Sequence, residues 1–218
     1  MRGFFNYNNG IFRAINKFTD CIFVSILWLI FSIPIITLGA SSAALFHTVR
    51  KVIRYERSTV WKEFFASFKQ NFKQATIVWS GLLLFYVCAV LCLYGVYAGE
   101  DRIGTSSIIV IFLLLTGIVT VWAIYTFAYI ARFYMPTKII LKNCTLIELA
   151  NLSWSVLLFV VFFIAFWVCF FVPVTFVAVP AYFALICELI LSKIFRKYMS
   201  KEDLEKELEW LESEPEDL

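Results

Sequence analysis

Charge leaves four long gaps in this 218-residue chain. No Asp, Glu, Lys or Arg occurs in Cys21–Val49, Gln74–Gly99, Ile103–Ala131 or Leu149–Cys187, runs of 29, 26, 29 and 39 residues. About 20 apolar residues suffice for a helix to cross a bilayer. Backbone exposed to lipid must satisfy its own hydrogen bonds, so spans are helices or closed barrels. A barrel strand alternates apolar and polar positions, and Ser153–Phe171 (SWSVLLFVVFFIAFWVCFF) does not. The expected fold class is all-α, a polytopic integral membrane protein whose first partner is the lipid bilayer.

Composition agrees. The chain is 61% hydrophobic and 16% charged, against roughly even apolar content and about one-quarter charge in soluble domains. A formal charge of +3 gives no reason to expect a nucleic-acid partner. The six cysteines lie mostly in the apolar runs, where a free thiol packs as a small hydrophobe. Cys88 and Cys92 share a helix face, but one histidine in the whole chain, His47, makes a poor metal set. No phosphate loop, HExxH, CxxC pair, nucleophile elbow or dinucleotide fingerprint is present. His47 has no carboxylate beside it in sequence, so no catalytic, cofactor-binding or metal-binding residue is expected, and no enzyme.

The 39-residue run would make one helix of about 58 Å, nearly twice the ~30 Å hydrocarbon core. Pro173 lies near its middle, where a helix tolerates proline least. A tight turn at Phe171–Thr175 is therefore expected, giving about five transmembrane helices near 18–38, 75–99, 104–131, 152–172 and 174–192. With five spans, 15 of the 19 basic residues fall on one side, leaving Arg2, Arg13, Lys17 and Arg102 opposite. Cytoplasmic loops carry the Lys/Arg excess, which predicts a cytoplasmic C-terminus and an outer N-terminus. The first apolar run is too long for the core of a signal peptide and reads as a retained span.

Residues 1–20 place Ile11, Ile15 and Phe18 on one helical face, compatible with an interfacial helix or a plain extension of span one. That span contains Pro34 and then the small residues Gly39–Ala44, so a kink and a close helix contact are expected, within the chain or with another subunit. Pro173 and Pro180 are the corresponding kink and packing candidates further on. Between spans one and two, 59–73 (TVWKEFFASFKQNFK) sets Trp61, Phe64, Phe65, Phe68 and Phe72 at helical spacing, with Lys62, Lys69 and Lys73 off the stripe. This predicts a cytoplasmic amphipathic helix that rests on anionic headgroups or docks a partner. Arg132–Glu148 is a second basic stretch on the same side. Residues 1–199 thus read as one membrane domain.

The tail, 200–218, carries nine acids from Glu202 onward, an expected Glu202–Lys206 pair and a thin seam of Leu204, Leu208 and Leu211. It reads as a solvated helical end or a partner-binding segment. Within the spans, Glu188 is the one acid, close enough to the inner surface to pair. Elsewhere the spans offer hydroxyls such as Ser80, Thr116, Thr120, Tyr125 and Thr126.

The segments Leu27–Arg54 (LWLIFSIPIITLGASSAALFHTVRKVIR) and Phe64–Ala75 (FFASFKQNFKQA) resemble the YesL-like family of bacterial integral membrane proteins. Ile33–Gly39 and Phe68–Gln74 are the most specific parts of a likeness that runs to about Met199. The family has no established biochemical activity, and no site residue is carried over from it. The resemblance implies a multi-pass protein of the bacterial cytoplasmic membrane, commonly encoded beside carbohydrate ABC importers. It leads to the expectation of a non-catalytic accessory or regulatory subunit contacting the importer's membrane subunits or ATPase through the aromatic-basic helix. The alternative is a self-assembling transport or channel component, with hydroxyl-bearing spans three and five at a pore and Gly95/Gly99 as a weak homo-oligomer signal.

Overall fold

A computed structural model describes residues 10–98 and 102–213. Expectations resting on residues 1–9, on Gly99 and on 214–218 lie outside the described residues, as do those on the side chains of Ile11, Arg13 and Arg102. The described residues form eight α-helices and no strand: α1 Gly10–Ser32, α2 Leu38–Thr48, α3 Val60–Ala98, α4 Arg102–Ile130, α5 Thr137–Ala150, α6 Leu152–Phe171, α7 Val179–Tyr198 and α8 Lys201–Glu212. Four segments are long and apolar enough to cross a membrane: Ala14–Ser32, Val60–Gly95, Ile108–Ile130 and Leu152–Phe171. The protein is all-α and multi-pass.

The prolines account for the two sharpest features. A residue preceding proline is pushed out of the helical region. Val172, before Pro173, has φ −127° and ψ 80°, so α6 stops there and a 3-10 turn, Pro173–Val177, leads into α7. The split of the long run is therefore present, although α7 starts at Val179 rather than 174. Pro180 does not kink α7. It sits in the helix's first turn, where no backbone donor is missed, and it is buried. With Glu188, Lys193 and Arg196, α7 is also less apolar than the other four.

Pro34 does more than kink a span. After Ser32 the chain turns through a 3-10 segment, Ile35–Thr37, and doubles back as α2. Ser32 Oγ lies 2.7 Å from Ser41 Oγ, and Trp28 Nε1 donates to Ser42 Oγ at 3.2 Å. Residues 14 apart in one straight helix would stand about 21 Å apart. At the other end Lys17 pairs with Glu56 at 2.6 Å. The expected single crossing 18–38 is thus a helical hairpin with both ends on one face. Lys17, expected opposite to the α2–α3 connection, lies beside it. The hairpin's tip is apolar: Ile33, Ile35 and Ile36 are all exposed.

α2 is the centre of the bundle. Its small residues Ala40, Ala43 and Ala44 are fully buried, and its closest neighbour is α3. A β-carbon on Gly39 would stand 2.5 Å from Trp79 Cβ and 2.6 Å from the Ala75 carbonyl oxygen. Small residues let helices approach this closely, and here the contact is internal. Trp79 Nε1 donates to the Ile35 carbonyl at 2.6 Å, locking the hairpin's turn to α3. The amphipathic helix expected over 59–73 is the first third of α3, continuous with the apolar remainder. Ser25 bridges to α7, accepting from Ala181 N–H at 3.1 Å and donating to the Ala178 carbonyl at 3.4 Å.

Candidate functional site

The last turns leaving α2 are wound as a π-helix, Val49–Arg54. Such wide turns turn successive side chains through a smaller angle than an α-helix and often occur at functional sites. Here the π segment carries Arg50, Lys51 and Arg54 at the charged end of the bundle. Arg132 follows α4, Arg196 comes from the last turns of α7, and two carboxylates reach the same place: Glu188 of α7 and Glu207 of α8.

Four guanidiniums therefore face two carboxylates. Glu188 is 2% exposed and lies 3.5 Å from Arg50 Nε and 3.4 Å from Arg54 Nη1. Arg54 Nη1 also donates to Ser192 Oγ at 2.7 Å. Glu207 Oε1 accepts from Arg50 Nη2 at 3.3 Å and from Arg196 Nη2 at 3.1 Å, while Oε2 takes Arg132 Nη2. Burial opposes ionisation of Glu207, but Arg132, Arg50 and Arg196 outweigh it and hold the carboxyl below its ordinary value. For Arg132, burial first and the nearby Arg50 next press against its charge, yet a guanidinium keeps its proton in proteins. Its side chain is 3% exposed, and its Nε and Nη1 find no hydrogen-bond partner. It lies instead near the Phe133 and Phe195 rings, 5.5 and 5.9 Å from their centroids.

The acidic tail is what closes this end. Ser200 caps α8 by accepting from Asp203 N–H at 3.1 Å, and the Glu202–Lys206 pair forms at 2.7 Å as its spacing predicts. The helix is not a solvated end, however. Its docked face centres on buried Glu207 with half-buried Asp203, Leu204, Trp210 and Leu211, while Leu208, the remaining leucine of the seam, is exposed. Arg57, itself buried, donates to the backbone carbonyls of Trp210, Leu211 and Ser213. A cation placed on the last carbonyls of a helix satisfies acceptors the helix cannot and complements its dipole. The same guanidinium lies 4.6 Å over the Trp210 ring, and Tyr55 meets that ring edge-on at 5.5 Å. Under α8 remains a cavity of about 390 Å³, lined on the basic side by His47, Arg50, Lys51 and Arg132.

His47 does have a carboxylate, 16 residues on. Its Nε2 is 3.1 Å from Glu63 Oε2 and its Nδ1 3.1 Å from the Ala131 carbonyl, while Lys51 Nζ binds Glu63 Oε1 at 2.9 Å. This ties α2, α3 and α4 together at the rim. Among the described residues no group of three or more His, Cys, Asp or Glu side chains is placed to hold a metal ion.

The aromatic stripe is largely internal. Phe64 is fully buried, and Phe64, Phe65 and Phe68 surround Phe31 of α1 at 5.8, 5.1 and 5.1 Å between ring centres. Trp61 and Phe72 remain exposed, on the outer surface with Lys62, Lys69 and Lys73. The hydroxyls that spans two and three offer bond within their own helices: Ser80, Thr116, Thr120 and Thr126 each donate to the carbonyl four residues back, at 2.8 Å.

Residues 21–95 match the model of a family described as a protein of unknown function, DUF624. YesL proteins are a DUF624 family, and the resemblance read from Ile33–Gly39 and Phe68–Gln74 falls inside the match. The match takes in 75 of the chain's 218 residues. No curated protein and no solved structure matches the chain. The matched segment covers the second half of α1, all of α2, the π turns and nearly all of α3. It supplies Arg50, Arg54 and Arg57, whereas Arg132, Glu188, Arg196 and Glu207 come from beyond it.

Proposed function

We propose that this is a non-catalytic protein of the bacterial cytoplasmic membrane, an accessory or regulatory subunit of a carbohydrate ABC importer. The observation that carries the reading is the architecture of one end: a basic surface built from the π turns, the end of α4 and the last turns of α7, with an acidic helix folded onto it through Glu207 and Arg57. A charged helix docked on a basic face suits a component that reports to a partner rather than one that turns over a substrate. The Lys/Arg excess supports placing this end in the cytoplasm, and the Lys17–Glu56 pair brings the start of α1 to the same side. The importer itself enters through the YesL-like resemblance. Its contact surface would be the exposed part of α3's first third, Trp61, Phe72, Lys62, Lys69 and Lys73.

The test is affinity purification of the tagged chain from its native membrane in mild detergent, with mass spectrometry of what accompanies it. Importer membrane subunits or their ATPase are expected, and they should be lost when Trp61 and Phe72 are changed to alanine. Recovery of this chain alone, as an oligomer that passes a small solute in liposomes, would establish the self-assembling transport component instead.

A further inference from the structure

The arginine cluster has more donors than its occupant has acceptors. Glu207 offers two oxygens and one negative charge to Arg50, Arg132 and Arg196, and both oxygens are used. Two nitrogens of Arg132, Nε and Nη1, are left without an acceptor on a side chain 97% withdrawn from solvent. A buried guanidinium with unmet donors is costly to keep. The adjoining cavity of about 390 Å³ is lined by this same residue and by Arg50, Lys51 and His47, so a space large enough for a small anion lies beside the cluster.

We propose that this cavity is a receptor for a phosphate monoester, and that Glu207 of α8 is its internal stand-in. A phosphoryl group presents three terminal oxygens and up to two charges. Two oxygens replace those of Glu207, and the third takes the Arg132 donors that the carboxylate leaves unmet. Arginine forks suit this geometry better than lysine does. Because ligand and Glu207 claim the same guanidiniums, binding expels the carboxylate and loosens α8, which Arg57 still holds by the carbonyls of Trp210, Leu211 and Ser213 and Tyr55 by the Trp210 ring. The loosened helix then exposes Glu207 and the acidic face around it. This site is independent of which membrane complex the chain serves, and its failure would leave the importer assignment standing.

The test uses the full chain in nanodiscs, titrated with glucose 6-phosphate and with inorganic phosphate, against sodium chloride at matched ionic strength. Binding is followed by calorimetry, and the state of residues 200–212 by hydrogen exchange. The phosphorylated probes should bind and raise exchange in α8, while chloride should do neither. Glu207→Gln removes the competing charge, and truncation after Ser200 removes the helix; each should tighten binding about tenfold or more, since a larger fraction of the protein is then competent. Arg132→Gln should abolish it in both backgrounds. Nanodiscs containing phosphatidic acid, compared with phosphatidylglycerol, separate the sources: exchange in α8 driven by phosphatidic acid alone identifies a lipid monoester, and exchange driven by the sugar phosphate a soluble one. If neither source binds the wild-type chain, the Glu207→Gln variant or the truncated chain, the cluster is a structural latch and the proposal is overturned.

Discussion

The contact between α2 and α3 at Gly39 makes the sharpest test of the fold. Gly39→Ala adds one methyl group where the nearest atoms, Trp79 Cβ and the Ala75 carbonyl oxygen, stand at 2.5 and 2.6 Å. Carbon atoms rest at about 3.5–4.0 Å, so the helices must separate by roughly 1 Å. The Ala75 oxygen is backbone and cannot rotate away. Overpacking of this kind costs about 1–3 kcal/mol, while alanine returns up to about 1 kcal/mol of helix propensity. After the full propensity gain the net loss is up to about 2 kcal/mol, a fall of up to about 8 °C in melting temperature for a chain of this size. Differential scanning fluorimetry in detergent reads it, and three other glycines calibrate it. Gly81→Ala and Gly95→Ala meet nothing within 4 Å and should melt at or above wild type. Gly117→Ala meets the edge of the Phe159 ring at 3.0 Å, and that ring can yield, so it should fall between. If Gly39→Ala melts with or above Gly81→Ala, α2 and α3 are not in this register.

Burial pushes the Glu148 carboxyl up to about 7 from 4.5, so the folded chain holds this proton more tightly than the unfolded one. Its contribution, about 3 kcal/mol at most, is complete below about pH 4.5 and lost as pH rises through 7. Melting temperature should drop between pH 5 and 8 in wild type and drop less in Glu148→Gln; equal slopes would dismiss the assignment. Arg57→Ala removes three carbonyl contacts from the end of α8, and with hydrogen bonds to a charge worth about 1.5–3 kcal/mol each, protection of residues 201–212 should fall at least about tenfold. Unchanged exchange there would mean that Arg57 does not anchor the helix. Single cysteines replacing Lys17 and Glu56 in a cysteine-free background should be labelled by an impermeant maleimide from the same side of sealed vesicles, and labelling from opposite sides would refute the hairpin.

What sequence patterns revealed, and what they hid, follows from the range of each signal. The helix break at Pro173 was legible because proline acts on its immediate neighbours. The turn at Pro34 was not: Ile33, Ile35 and Ile36 look like more of the same span, since a turn lying in an apolar setting needs no polar residues to mark it. The stripe from Trp61 to Phe72 was visible as a helical face, but periodicity does not say what a face meets, and Phe31 of the preceding helix occupies its centre. The site depended on distance most of all. His47 finds Glu63 across a hairpin, and Glu207 meets Arg50 and Arg132 from 157 and 75 residues away. A run of acids ordinarily reads as solvated, and nothing local distinguishes Glu207 from its neighbours. The surplus of basic residues at this end is the one sign of the site that the sequence carries.

The apolar tip of the first hairpin bears on how the chain enters a bilayer during synthesis. A pair of helices joined by a charged or polar loop must carry that loop through the hydrocarbon. Between Cys21 and Val49 there is no charge to carry, and the turn itself is made of isoleucines around a proline. The pair can therefore sink in from one face as a preassembled wedge, with Lys17 and Glu56 remaining behind as a clasp at the entry side. Biogenesis of the remaining helices would then begin against a surface already in place, the small-residue face of α2 onto which α3 closes.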